Sequence, residues 1–227
     1  MTEATRIILM RHGETGWNQN ERFRGRVDIP LDEVGVKQAA AAAAALRGQY
    51  PLTAIYSSPL ARARQTADIV AAEYGLRVTD LPDLTDLDFG DWEGLAVQEV
   101  AERYPDLFRL WREEPQRLHI PRGETLDEAR TRGVTSLRDI VARHPGQTVA
   151  IVTHRVLCKL LLCAVLGLDN SRFWVIDQAT TAINVFDIVG VPKASNPDAG
   201  SSGVSDIDGW RFVIRAINEA CHLRHLD

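Results

Sequence analysis

The sequence predicts an α/β domain built on a parallel core, and three observations carry that expectation. Short apolar runs that suit strands alternate with longer segments of helical periodicity along most of the chain. The run Thr148-Val149-Ala150-Ile151-Val152-Thr153 is continuous and rich in β-branched residues, as in a strand covered on both faces. It passes directly into residues 155–166, where Val156, Leu160 and Ala164 share one helical face and Leu157, Leu161 and Val165 the next, a helix buried on most sides.

The elements follow in order. Residues 7–10 (Ile-Ile-Leu-Met) read as the first strand, and residues 32–47 as a helix whose seven alanines, Ala39 to Ala45, form a tightly packed face. Residues 54–57 read as a second strand. A helix follows over 59–74, with Ser58 as its N-cap and Pro59 at its first position. A strand over 77–79, helices over 96–103, 106–113 and 125–143, and the strand at 148–153 complete the alternating part. Alternating strands at 182–188 and 211–217 end the chain, joined by a flexible loop over about 190–209 rich in Gly, Ser, Pro and Asp. Residues 1–227 read as one domain, without internal repeat or linker.

Composition excludes several classes. The 227 residues are 45% hydrophobic, enough for a substantial core, and 26 basic against 31 acidic side chains argue against a disordered or fibrous chain. The net charge of -5 speaks against general nucleic-acid binding, while leaving room for a local cationic pocket. No stretch approaches the roughly 18 apolar residues of a membrane helix, and the run after Arg6 is too short for a signal peptide. Cys158, Cys163 and Cys221 have no metal spacing and two lie in an apolar run, so a reducing, cytoplasmic setting is expected. A homodimer is left open.

The chemistry collects at strand ends. Arg11-His12-Gly13 follows the first strand, Arg62 falls in the first turn after the second, and Thr153-His154-Arg155 sits where a strand becomes a helix. In open α/β sheets that edge is where ligands bind. Arginine offers a planar fork for oxyanions, histidine can attack or carry protons near neutral pH, and helix N-termini favour anions. Four converging basic groups suit a phosphoryl group.

The segment Arg11-His12-Gly13-Glu14-Thr15-Gly16-Trp17-Asn18 resembles the Arg-His-Gly-x-Thr-x-x-Asn pattern of the histidine phosphatase superfamily (branch 1, phosphoglycerate-mutase-like). Arg22-Phe23-Arg24-Gly25, Ser57-Ser58-Pro59-Leu60-Ala61-Arg62, Phe89-Gly90-Asp91-Trp92-Glu93-Gly94, Gly123-Glu124-Thr125 and Val152-Thr153-His154 follow the family's order over about residues 6–190. The resemblance implies a three-layer α/β/α sandwich with a mostly parallel sheet, acting on a small phosphorylated metabolite without metal or organic cofactor. It implies His12 as the nucleophile, and Arg11, Arg62 and His154 as a phosphate clamp assisted by Asn18.

The chain also departs from the pattern. Aspartate, Asp86, stands where the family usually places the glutamate that protonates the leaving alcohol, with Asp88 and Glu93 as competitors. Arg155 replaces a common glycine and reads as an extra phosphate contact or, preferred, an outward-facing helix cap. Arg24, with Gly25 beside it, is a candidate for the substrate's non-phosphate end. The C-terminal Ile217-Asn218-Glu219-Ala220-Cys221-His222-Leu223 resembles the metal-independent phosphoserine phosphatase subgroup, which makes His222 a specificity candidate. Phe89 occupies the place of that subgroup's second recognition histidine, which speaks against phosphoserine. The expected activity is phosphomonoester hydrolysis through phospho-His12. A cofactor-dependent phosphoglycerate mutase is the first alternative, and a catalytically inactive phosphate-binding module the remote one.

Overall fold

A computed structural model describes residues 4–17, 22–189, 207, 209–224 and 226. Among them a six-stranded sheet runs in the order β3-β2-β4-β1-β5-β6. The strands are β1 (Thr5–Arg11), β2 (Ala54–Ser57), β3 (Val78–Asp80), β4 (Thr148–Thr153), β5 (Ile183–Val189) and β6 (Arg211–Glu219). The first four are mutually parallel, β5 runs antiparallel to β1, and β6 antiparallel to β5. The expected loop over 190–209 lies almost wholly outside the described residues.

Helices cover both faces of the sheet. Along β1 the side chains alternate: Ile8 and Met10 pack with Ala42, Ala43 and Leu46 of α1 (Glu33–Arg47) and Ala63, Ala67 and Val70 of α2 (Ala61–Tyr74). Ile7 and Leu9 face the other layer, with α3 (Val97–Arg103) and α4 (Pro105–Glu113) set apart from it. That layer packs Val134, Leu137 and Ile140 of α5 (Leu126–Arg143) and Leu157 and Leu161 of α6 (Arg155–Val165). The period-2 alternation of a strand thus feeds two cores, and the alanine run lets α1 approach the sheet closely. The architecture is a three-layer α/β/α sandwich. No helix among the described residues is long and apolar enough to cross a membrane.

α3 and α4 bring a third core. Phe23, Phe89, Trp92, Trp111 and Phe173 form a continuous aromatic group, with ring centroids 5.0 Å apart for Phe23–Phe89, 5.7 Å for Phe89–Trp111 and 5.3 Å for Trp111–Phe173. Centroid separations in this range suit edge-to-face and tilted aromatic packing.

Sheet order decides where the chemistry goes. The chain leaves β1 through α1 toward β2, and leaves β4 through α6 toward β5, so neighbouring strands β1 and β4 send their connections to opposite faces. That switch point opens a crevice beyond the strands' carboxyl ends. Arg11 is the register partner of Thr153, which brings His12 and His154, each one residue further, side by side.

Candidate active site

Each strand end is fixed by local hydrogen bonding. After β1 the backbone N–H of His12 donates to Thr153 O at 2.9 Å, and the N–H of Gly13 to Thr66 Oγ1 at 3.1 Å. Position 13 must be glycine, because a Cβ there would stand 2.6 Å from the Gly35 carbonyl oxygen at the start of α1.

The second strand end differs from expectation. α2 begins at Ala61 rather than Pro59, and Asp28 Oδ1 accepts from the Ala61 N–H at 2.6 Å. Ser58 is therefore not the N-cap. Its hydroxyl meets His154 Nε2 at 2.8 Å and accepts from the Leu60 N–H, ahead of the helix, at 3.3 Å. A cap supplied from a distant loop leaves no local sequence signature, which is why the nearer serine drew the assignment.

His12 and His154 lie edge to face, with centroids 5.2 Å apart, and both are buried. His12 Nδ1 is 2.6 Å from Gly13 O. A carbonyl only accepts, so Nδ1 carries the proton and Nε2 keeps its lone pair. Burial pushes the His12 pKa well below the usual imidazole value, with Arg62, Arg11 and Arg24 adding to the effect. His154 is lowered in the same way, by burial first and then by Arg62. Its Nδ1 accepts from Arg62 Nε at 3.1 Å, so Nε2 is the nitrogen that donates to Ser58.

Arg62 is fully buried and held by the chain segment before it. It donates from Nη1 to Val27 O at 2.9 Å and from Nη2 to Gly25 O at 2.8 Å. With the bond to His154, three of its five N–H groups are bonded to uncharged partners, which leaves two, with Nη2 also 3.6 Å from Asp86 Oδ2. Gly25 sits at φ +50, where its carbonyl can turn toward Arg62. Its part is to hold that arginine. Arg11 donates from Nη1 to Gln178 O at 2.7 Å, but its buried Nε has no hydrogen-bond partner among the described residues. A buried, unpaired guanidinium N–H is the mark of an oxyanion site. Burial lowers the Arg11 pKa to about 10, and Arg24 and Arg155 push the same way.

Asp86 completes the cluster. It is 6% exposed, 3.6 Å from Arg62 Nη2 and 3.9 Å from His154 Nδ1. Burial raises its pKa above the usual carboxylate value even against Arg62 and Arg24. The competitors are occupied elsewhere: Asp88 accepts from Gly90 N at 2.9 Å and pairs with Arg26 at 3.1 Å, while Glu93 Oε1 accepts from Arg26 N at 2.7 Å. What positions Asp86 was not anticipated. Arg132 of α5 binds the carbonyls of Asp83, Thr85 and Asp86 at 2.7, 2.8 and 3.0 Å. Glu124 holds Arg132 through both oxygens, at 2.7 and 2.9 Å. Thr153 Oγ1 ties Leu84 O to the end of β4 at 2.6 Å. Glu124 of the Gly123-Glu124-Thr125 match thus acts through Arg132 to fix the backbone that carries Asp86.

Arg11, Arg24 and Asp86 open onto a cleft of about 720 Å³ that the aromatic group also lines. Arg24 donates to Thr15 Oγ1 at 3.0 Å. Arg155 lines the same cleft rather than facing outward as a cap. Asn18 lies outside the described residues. His222 is apart from the cluster: its Nε2 meets Thr181 Oγ1 at 3.0 Å, and it lines a second cavity with Leu46, Tyr50 and Ile183. The backbone N–H of Thr181 donates to His12 O at 3.2 Å, so Thr181 links His222 to the backbone of His12. Among the described residues no group of three or more His, Cys, Asp or Glu side chains could hold a metal ion.

The sequence pattern of the histidine phosphatase superfamily (branch 1) matches residues 7–192. The chain belongs to that superfamily. A phosphoserine phosphatase 1 of Hydrogenobacter thermophilus is 36% identical over 218 residues, covering 96% of this chain and 94% of the relative. A metal-independent phosphoserine phosphatase of Arabidopsis thaliana is 38% identical over 155 residues, 67% of this chain and 65% of the relative. The solved structure of a mycobacterial glucosyl-3-phosphoglycerate phosphatase superposes with a TM-score of 0.79 at 25% identity, covering 94% of this chain and 98% of that one. This histidine phosphatase is accordingly an enzyme, a phosphoric monoester hydrolase whose chemistry runs through a histidine.

The buried neutral histidines have a consequence for stability. With folded-state pKa values below 6.5, His12 and His154 take up protons in the unfolded chain that they refuse when folded. Stability is therefore full above pH 6.5 and falls as pH drops below it, by up to about 1.4 kcal/mol per pH unit for each histidine. Asp86, raised from 3.8, contributes in the opposite sense, losing stability as pH rises through its own titration. Two histidines outweigh one carboxyl. Thermal melts should show Tm falling from pH 7 to pH 5, with a shallower fall in His12→Asn; an unchanged slope in that variant would count against the buried neutral imidazole.

Proposed function

We propose that His12 Nε2 attacks the phosphorus of a small phosphomonoester and forms a phosphohistidine. The observation that carries this reading is the 2.6 Å contact of Nδ1 with Gly13 O, which keeps the proton off the attacking nitrogen. Arg11 and the two remaining N–H groups of Arg62 bind the phosphoryl oxygens, where charge spreads in the transition state. As the P–O bond to the alcohol breaks, the Asp86 carboxyl gives its proton to the leaving oxygen. Water then attacks phospho-His12, Asp86 accepts the water proton, and inorganic phosphate leaves with the imidazole restored. His154, with both nitrogens bonded to Arg62 and Ser58, orients the arginine and touches phosphate only after releasing Ser58.

Both protonation states needed are those the burial favours. The nucleophile must be neutral and the acid protonated, so kcat/KM falls on the acid side below the ordinary imidazole range and on the alkaline side as Asp86 ionises. Phosphate release from a panel that includes phosphoserine and 3-phosphoglycerate tests the reading. Release with this two-sided profile supports it. No release from any ester, or bisphosphate-dependent isomerisation of 3-phosphoglycerate without net release, overturns it in favour of the inactive module or the mutase.

A further inference from the structure

The cleft is larger than a phosphoryl site requires, and part of its wall has no role in the chemistry above. Trp174 is 37% exposed, large and apolar, yet it is fixed: its Nε1–H donates to Trp111 O at 2.6 Å, and Phe173 packs against it at 4.9 Å. An indole that is both immobilised and open to a cleft is a ready stacking platform, since its orientation entropy is already lost. Two cations attend it. The Arg155 guanidinium carbon lies 5.8 Å from the ring centroid and Lys159 Nζ 4.5 Å, with the Phe173 ring 4.8 Å from the same Nζ.

Arg155 directly follows His154, so its charge stands next to the phosphate cluster while its stem is carried by the rigid first turn of α6. Its acidic neighbour, Asp177, is 3.9 Å away and 77% exposed in its side chain, a weak pair in water. Arg112 of α4 also lines this cleft, whose charged side chains among the described residues are Arg11, Arg22, Arg24, Arg112, Arg155 and the acid Asp86. A phosphate dianion satisfies Arg11 and Arg62. Arg155, beside a flat apolar face and only weakly paired, suits a second anion at a distance from the first.

We propose that Trp174 and Arg155 form a subsite for the part of the substrate beyond the phosphoryl group, and that this part is a flat or ring-shaped body bearing a second anionic group. This rests on the phosphatase reading of His12. The ring lies on Trp174, and the anion, a carboxylate or a second phosphate, is read by the Arg155 fork. A short, ringless phosphoester such as phosphoserine fills the phosphate end and leaves the indole uncovered.

The test compares two aryl esters of nearly equal size that differ chiefly in charge: 4-carboxyphenyl phosphate and its 4-carboxamide counterpart, the amide being the slightly better leaving group. The expected kcat/KM preference for the carboxylate is about tenfold or more in the parent, falling to about one in Arg155→Gln. Trp174→Ala should lower kcat/KM for both aryl esters at least fivefold more than for phosphoserine. Because each readout is a ratio within one active preparation, loss of folding cannot imitate it. Equal use of the two aryl esters by the parent, or an unchanged ratio in Arg155→Gln, overturns the subsite while leaving the phosphatase reading intact. No His12-dependent phosphate release from any ester overturns the phosphatase reading and the subsite together.

Discussion

His12→Ala should lower phosphate release by about 10⁴-fold or more and abolish the covalent intermediate. The size of the loss follows from what the residue does. A clamp residue contributes electrostatic stabilisation that its neighbours partly replace, whereas the attacking nitrogen has no substitute within the cluster. The nearest imidazole, His154, has its Nδ1 engaged by Arg62 and a proton on Nε2, so it presents no free lone pair. Rapid quenching with labelled substrate gives the decisive measurement. The parent should carry label that survives alkali and is lost in acid, as a phosphoramidate does, and the variant should carry none. Label persisting in His12→Ala would move the nucleophile elsewhere. Arg62→Ala, by contrast, should slow both formation and breakdown of the intermediate without eliminating it.

Asp86→Asn should have an effect that depends on the leaving group. An alkoxide cannot depart without a proton, so alkyl phosphates should lose about 10²–10⁴-fold. Nitrophenolate needs no such help, and the first turnover of 4-nitrophenyl phosphate should fall less than about tenfold. The second half of the cycle also uses Asp86, as the base that takes a proton from water, so the variant should show a burst of nitrophenolate followed by a slow steady state. The alkaline limb of the rate profile should vanish with it. Equal losses on both ester classes would mean that Asp86 merely supports the fold, and the acid would have to be sought in Asp88 or Glu93. Their bonding to Gly90 and Arg26 argues against that outcome.

Much of this arrangement was legible in the residues. The run Ile7 to Met10 followed by Arg11-His12, and Thr148 to Thr153 followed by His154, each spell a buried strand with basic residues at its carboxyl end, and both strands form as expected. Arg62 lies in the first turn of the helix after β2, so a local rule placed it as well. What escaped the sequence depends on partners distant along the chain. Arg132 holds the loop of Asp86 from 46 residues away, and Asp28 caps a helix 33 residues on. Nothing near those positions announces either contact. Arg155 was read as pointing out because a charged residue opening a helix usually does; Trp174, arriving from beyond α6, gives it a surface to lie on.

The sequence alone thus determined the sheet-forming runs, the four basic groups at the strand ends and the kind of ligand they suit. Strand, turn and first helical turn are local structures, and each carries its own side chains to a predictable edge. Tertiary structure decided which of them can react and how. Burial lowers the His12 pKa and raises that of Asp86, Gly13 O fixes the tautomer, and long-range hydrogen bonds hold Asp86 in the cluster while Asp88 and Glu93 bond elsewhere. It also set His222 behind Thr181 and Arg155 on the cleft wall. Desolvation and hydrogen-bond partnership arise only when remote segments pack together, so no reading of neighbours in the chain could supply them.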